Sequence, residues 1–174
     1  MRRAHVALVS PLIPQNVGHI GRTCAGLGAT LHLIHPFSFS VDDASVRRAG
    51  LDYWPSIDVR VHESWCGFEQ DHLADSPQCF IFSTRLRYGS VSLFDFAFPT
   101  QGDDVTLIFG SEHAGVRDLP SEFLDKTPKL FLPMSENIRS FNLSNTAAVG
   151  LFELHRQWHS TLPPGEGHSD HRRR

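Results

Sequence analysis

The sequence predicts an α/β fold, a single domain on a largely parallel sheet. Apolar segments of strand length alternate with segments patterned as helices. The strand segments are too continuously apolar for a sheet with one wet face. The chain has 174 residues, which suits one core and leaves little room for a second.

Residues 4–9 read as the first strand, ended by Pro11 and Pro14. A helix follows, with Asn16 as its N-cap and Ile20, Cys24 and Leu27 on one face at helical spacing, and Gly28 closes it. Thr30 to His35 is the second strand. Asp42 or Asp43 begins a short helix through Arg47 and Arg48 to Gly50. Ile57 to His62 is the third strand, and Glu63 to Leu73 is helical. Cys79 to Ser83 and Val105 to Phe109 are two further strands, and Lys129 to Leu132 is a last short one. Asn142 to Trp158 is a long helix with Leu143, Ala147, Leu151, Leu154 and Trp158 on one face. Beyond Leu162 there is nothing apolar to bury, so the domain is expected to span residues 1–162 and residues 163–174 to form a disordered tail.

Composition narrows the function. No apolar run approaches a membrane span. Arg2 and Arg3 precede an apolar stretch, but His5 interrupts it and no small-residue cleavage site follows, so a strand and not a signal peptide is expected. Cys24, Cys66 and Cys79 are odd in number and widely spaced, which signals neither disulfides nor zinc and suits reduced thiols in a cytoplasmic protein. The 11 histidines show no metal-ligand spacing, so no metal is expected. A net charge of −3 speaks against a nucleic-acid partner. However, 14 of the 16 basic residues are arginine, whose fork grips phosphate in a bidentate way. A compositional bias without function accounts for the arginines equally well.

Three stretches carry more than structure asks for. Pro14 to Arg22 is a loop entering a helix with glycines at 18, 21, 26 and 28; each weakens a helix by about 1 kcal/mol, which suggests close backbone approach. A helix packed tightly on the sheet with a solvent-facing Arg22 explains this as well. Phe109-Gly110-Ser111-Glu112-His113-Ala114-Gly115 follows a strand, where open α/β sheets bind ligands. It is neither the dinucleotide fingerprint nor a Walker loop, and a plain connecting turn remains open. Finally, Leu132-Pro133-Met134 and Arg139 to Asn145 crowd Arg139, Ser140, Asn142 and Asn145 at the entrance of a helix that needs only one cap.

Together with Arg47-Arg48-Ala49-Gly50-Leu51-Asp52-Tyr53, these stretches resemble, in order and spacing, the motifs of the SPOUT superfamily of RNA methyltransferases. The resemblance is to the branch of small tRNA 2′-O-methyltransferases acting on the wobble cytidine or uridine, and it runs from about Val6 to about Trp158. It implies an α/β fold with a C-terminal trefoil knot, which no periodicity reveals. It also implies a homodimer packed through the knot, with S-adenosyl-L-methionine as methyl donor and S-adenosyl-L-homocysteine as product. Carried onto this chain, Phe82, Gly110, Glu112, Leu132, Met134, Ser140 and Leu143 would hold the cofactor. Arg22, Asn16, Ser140 and Asn142 would serve catalysis, Arg22 reaching the partner's site, and Arg22, Arg47, Arg48 and Arg139 would contact a tRNA anticodon stem-loop. Arginine side chains keep their proton in proteins, so positioning and charge stabilisation suit Arg22 better than proton abstraction. His19, Ala114 and Phe141 depart from the usual asparagine, arginine and methionine, which bears on the RNA contacts. Two alternatives remain: the same chemistry on another tRNA or ribosomal RNA position, and a catalytically silent RNA-binding module on the same fold.

Overall fold

The computed structural model of the chain describes residues 2–40, 46, 51–75, 78–84, 89–102 and 104–159. Their strands are β1 (Ala4–Val9), β2 (Thr30–Ile34), β3 (Val59–His62), β4 (Gln78–Phe82), β5 (Val91–Ser92), β6 (Val105–Phe109) and β7 (Lys129–Phe131). They form one sheet in the order β3-β2-β1-β6-β4-β7-β5, with every pairing parallel. The helices are α1 (Pro14–Leu27), α2 (Trp65–Asp71), α3 (Ser121–Lys126) and α4 (Leu143–His159).

Both faces of the sheet's centre are covered, which is why β1, β2, β4 and β6 are largely apolar and largely buried. On one face, α1 and α4 enclose Val6, Leu8, Leu31, Leu33 and Leu107. On the other, Phe68 of α2 and Phe123 and Leu124 of α3 pack over Ala7, Val9, Ile34, Ile81 and Ile108. Gly150 lets α4 lie against the sheet, since a Cβ there would stand 2.6 Å from the Phe82 ring. Gly21 serves a different contact: a Cβ there would stand 2.9 Å from both Trp54 and Ile57, so the glycine lets the 51–57 segment pack against α1. Burial pushes the thiols of Cys24 and Cys79 up to about 12, so neither is a ready nucleophile.

The structure differs from the sequence reading in several places. Asn16 is not an N-cap: α1 begins at Pro14, a position that tolerates proline, after an Ile13 cap with no side-chain bond. Asn16 lies buried within the helix instead. A 3₁₀ turn at Leu51–Ser56, the two-residue β5 and the six-residue α3 were too short to leave a periodic signal. Of the expected helix around 42–50, only Val46 is described, and it is buried; Arg47 and Arg48 lie outside the described residues, as does the 163–174 tail.

Candidate functional site

The sheet changes direction between β1 and β6. From β1 the chain adds β2 and β3 on one side, and β6, β4, β7 and β5 occupy the other. In open α/β sheets the crevice beyond the carboxyl ends of strands at such a switch is where ligands bind. Here the loops after β4, β6 and β7 enclose a cleft of about 760 Å³. All seven residues expected to hold a cofactor line it: Phe82, Gly110, Glu112, Leu132, Met134, Ser140 and Leu143. Asn16, Arg139 and Asn142 line it too.

Each loop is shaped by its own sequence. After β6, Ser111 and Gly115 exchange backbone hydrogen bonds of 3.2 and 2.8 Å, and the Ala114 N–H donates to Ser111 Oγ at 3.0 Å. The ring is so tight that a Cβ on Gly110 would overlap the Gly115 carbonyl, while Gly115 itself has φ +62°. Both glycines are therefore required by the backbone. Phe82, stacked on Phe109 at 4.7 Å, supplies an apolar floor. After β7, the chain runs without regular structure to Asn142, which caps α4 by accepting from the Ser144 N–H at 2.8 Å.

Glu112 ties the β6 loop to the entrance of α1. Its carboxylate accepts from the backbone N–H of Leu12 (2.8 Å) and Ile13 (3.2 Å) and from Asn16 Nδ2 (2.8 Å). Asn142 Nδ2 in turn donates to Asn16 Oδ1 at 3.0 Å. The surplus polarity at the α4 entrance is thus divided: Asn142 both caps its helix and reaches α1, and Arg139 and Ser140 face the cleft.

Asn16 and Asn142 form a partition. Beyond it lies a second, more open cleft of about 490 Å³ that holds Arg22, His19, Thr23 and Asn145 and shares both asparagines with the first. Arg22 is exposed there. Of the catalytic candidates, Ser140 belongs to the first cleft, Arg22 to the second, and Asn16 and Asn142 to both. Arg117 was missed by the sequence reading. It lines the first cleft, and its guanidinium donates to the Ala114 carbonyl at 2.9 Å, placing a cation beside the turn where Ala114 supplies none. An arginine two residues beyond the closing Gly115 was the only signal for it.

A cleft floored by Phe and Leu side chains and backbone suits a flat, weakly polar ring, and the polar partition suits hydroxyls or phosphate. The chain matches known proteins over most of its length. A family model described as the SpoU rRNA Methylase family matches residues 3–152. The tRNA (cytidine(34)-2'-O)-methyltransferase of Burkholderia cenocepacia (strain HI2424) is 46% identical over 156 residues, covering 88% of this chain and 94% of that protein. A structure solved for insight into the 2-OH methylation of C/U34 on tRNA superposes with a TM-score of 0.78 at 39% identity, covering 91% of this chain and 98% of the other. A SpoU methyltransferase from Streptomyces viridochromogenes in complex with the cofactor AdoMet superposes with a TM-score of 0.71 at 25% identity, covering 90% of this chain and 60% of the other.

Proposed function

The chain belongs to the SpoU rRNA Methylase family, and we propose that it transfers the methyl group of S-adenosyl-L-methionine to the ribose 2′-hydroxyl of the wobble nucleotide, cytidine or uridine 34, of tRNA. One observation carries the reading: all seven residues expected to hold the cofactor, drawn from the ends of three strands, the loops beyond them and the start of α4, share one cleft.

Phe82, Leu132 and Leu143, which line the first cleft, would hold the adenosyl group. Glu112 holds the loop to α1 and leaves the backbone of the β6 turn to face the cofactor. When bound, the sulfonium supplies the electrophilic methyl and the leaving group, so the protein has to align the nucleophile and support the charge that develops on it. Holding two reactants in attack geometry lowers a barrier by roughly 7–11 kcal/mol. Asn16 and Asn142 orient the ribose, and Arg22 and Arg139 hold phosphate and stabilise the developing alkoxide.

The segment after β7 is threaded as the family's knot, and the active form is a homodimer in which Arg22 of one protomer completes the site of the other. Val149 and Phe152, 40% and 57% exposed on α4, and Leu12 and Ile13, 50% and 42% exposed at the start of α1, supply apolar surface for a second copy. The substrate element is the anticodon stem-loop, because the 156 matched residues are nearly all of a relative named for position 34. A cytoplasmic location follows from that substrate, and among the described residues no helix is long and apolar enough to cross a membrane.

Calorimetry with S-adenosyl-L-methionine and transfer assays on tRNA, the isolated anticodon stem-loop and ribosomal RNA fragments test the reading. Binding with transfer to the first two substrates supports it. Transfer to ribosomal RNA alone moves the reaction to the other position, and failure to bind cofactor leaves a silent RNA-binding module.

A further inference from the structure

The face of the sheet beneath α2 holds a cluster that the clefts do not use. It runs diagonally across the strands: His5 is the second residue of β1, His32 the middle one of β2, and His62 the last of β3, level with Ile34, while His72 follows α2. All four are buried. They form a chain: His5 Nε2 lies 3.2 Å from Asp104 Oδ2, His5 Nδ1 lies 3.0 Å from His32 Nε2, and His32 Nδ1 lies 3.0 Å from His62 Nε2. His62 Nδ1 then faces Asp71 Oδ2 at 3.6 Å, beyond hydrogen-bond reach. His72 Nε2 meets Thr106 Oγ1 at 2.8 Å.

The protons of this chain can be assigned. The Asp104 carboxylate only accepts, so His5 carries its proton on Nε2 and leaves Nδ1 bare. His32 then donates from Nε2, and His62 donates from its own Nε2. His62 Nδ1 is left bare opposite a carboxylate, and among the described residues it is indeed a buried nitrogen with no hydrogen-bond partner. A buried acceptor facing a second acceptor is unfavourable.

A cation in the gap between His5 and His32 removes the conflict. His5 Nδ1 and His32 Nε2 turn their lone pairs to the ion. The His32 proton moves to Nδ1 and points at His62 Nε2, and the His62 proton moves to Nδ1 and points at Asp71. No proton is gained or lost, every imidazole stays neutral, and the bare nitrogen is gone. A third nitrogen is at hand, because one ring nitrogen each of His5, His32 and His72 lies within 4.8 Å of the others.

We propose that His5, His32 and His72 bind a divalent ion of the zinc class that fastens β1 and β2 to the end of α2. Imidazole suits such ions, and three histidines with an open fourth position are a familiar zinc set. At zinc–nitrogen distances of about 2.0–2.1 Å the ligand nitrogens stand roughly 3.3–3.4 Å apart, so the 3.0 Å His5–His32 gap needs only a small opening. The outer nitrogens already have the partners that orient metal-binding histidines: Asp104 behind His5 and His62 behind His32. The nearby cations Arg3 and Arg60 are each turned to Asp58, at 3.4 and 3.6 Å. Positions 5, 32 and 72 form no spacing motif, which is why no metal is expected from residue pattern alone.

The test uses the untagged full-length chain, stripped by dialysis and then offered Zn²⁺ or Co²⁺ in slight excess before desalting. The expected result is one ion retained per chain, a tetrahedral Co²⁺ absorption spectrum and a raised Tm. The H5N/H72Q double variant retains none, and His62→Phe, which keeps all three ligands, binds about 10–100-fold more weakly. No ion retained by the wild-type chain overturns the proposal. So does equal retention by H5N/H72Q, which would place the ion elsewhere, for instance at the paired rings of His155 and His159 on α4. Circular dichroism checks that the variants fold. If the double variant does not, the wild-type cobalt spectrum and the His62→Phe affinity decide: octahedral bands or an unchanged affinity would refute the site.

Discussion

Around the carboxyl ends of the strands, Arg22, Arg139, Ser140 and Asn145 stand exposed on the rims of two clefts, whereas on the face beneath α2, along a diagonal from β1 to β3, His5, His32, His62 and His72 are buried against one another. Both groups are polar, and both sit on the same sheet. The difference lies in what satisfies them. Polar groups at the carboxyl end keep hydrogen-bonding capacity for something outside the chain, and the loops that carry them are shaped by glycine and by side chains reaching across from other elements. The buried histidines turn to one another, to Asp104 and to Thr106 under the lid made by Phe68, and His62 Nδ1 is left without a hydrogen-bond partner. Buried polar networks rigidify a fold to the extent that they are satisfied, and exposed ones leave capacity for function. Substitutions in the two regions should therefore separate stability from activity.

The largest effect is expected at the buried histidines beneath α2. Phe68 is fully buried, with its ring 5.4 Å from that of His32 and 5.2 Å from that of His62. Phe68→Ala should cost about 3–5 kcal/mol in urea denaturation. Methyl transfer per folded molecule should stay unchanged. A loss of transfer in the folded fraction would mean that the two regions are coupled.

Arg22→Ala should show the reverse. Transfer to tRNA should fall by about 100- to 1000-fold, or roughly 2.7–4 kcal/mol, the size of effect seen when one preorganised charge-stabilising donor is removed. The Tm and the calorimetric affinity for S-adenosyl-L-methionine should not move. Full activity would remove Arg22 from the reaction.

Glu112 tests the seam between the kinds of behaviour, because its carboxylate serves the fold from within the cleft. Glu112→Gln should lower stability by about 1.5–3 kcal/mol, since hydrogen bonds to a charged group are weakened. It should also weaken cofactor binding by loosening the β6 loop. Unchanged stability would make Glu112 a direct ligand instead of a tie. The smallest effect is expected for Asn142→Ala, which removes the α4 cap at about 0.5–2 kcal/mol. That variant also opens the partition to Asn16, so transfer should fall further than the loss of stability explains.

Much of the frame was legible from residue pattern. β1, β6 and α4 are long and strongly patterned, and their boundaries fell within a residue of those read from the sequence. β5 and α3 were not legible, because two and six residues cannot display a period. Asn16 looked like a cap because it is a capping residue type at a helix entrance. The carboxylate that holds that entrance comes from Glu112, 96 residues further along the chain, and no local rule reaches so far. The cleft shows the same limit. Leu132, Met134 and Leu143 read as ordinary core residues by composition, and only resemblance to a family marked them as a lining. Arg117 and the histidine cluster carried no motif at all; a parallel sheet brings positions 5 and 32 side by side only once its register is known.

Nucleoside mass spectrometry of unmodified tRNA incubated with the protein and S-adenosyl-L-methionine, with the methyl located by fragment mapping, is the most direct test. One methyl on the ribose of nucleotide 34 is the predicted result. A methyl on a base, a ribose methyl elsewhere, or no methyl on any tRNA offered would contradict the assignment of the carboxyl-end clefts to wobble ribose methylation.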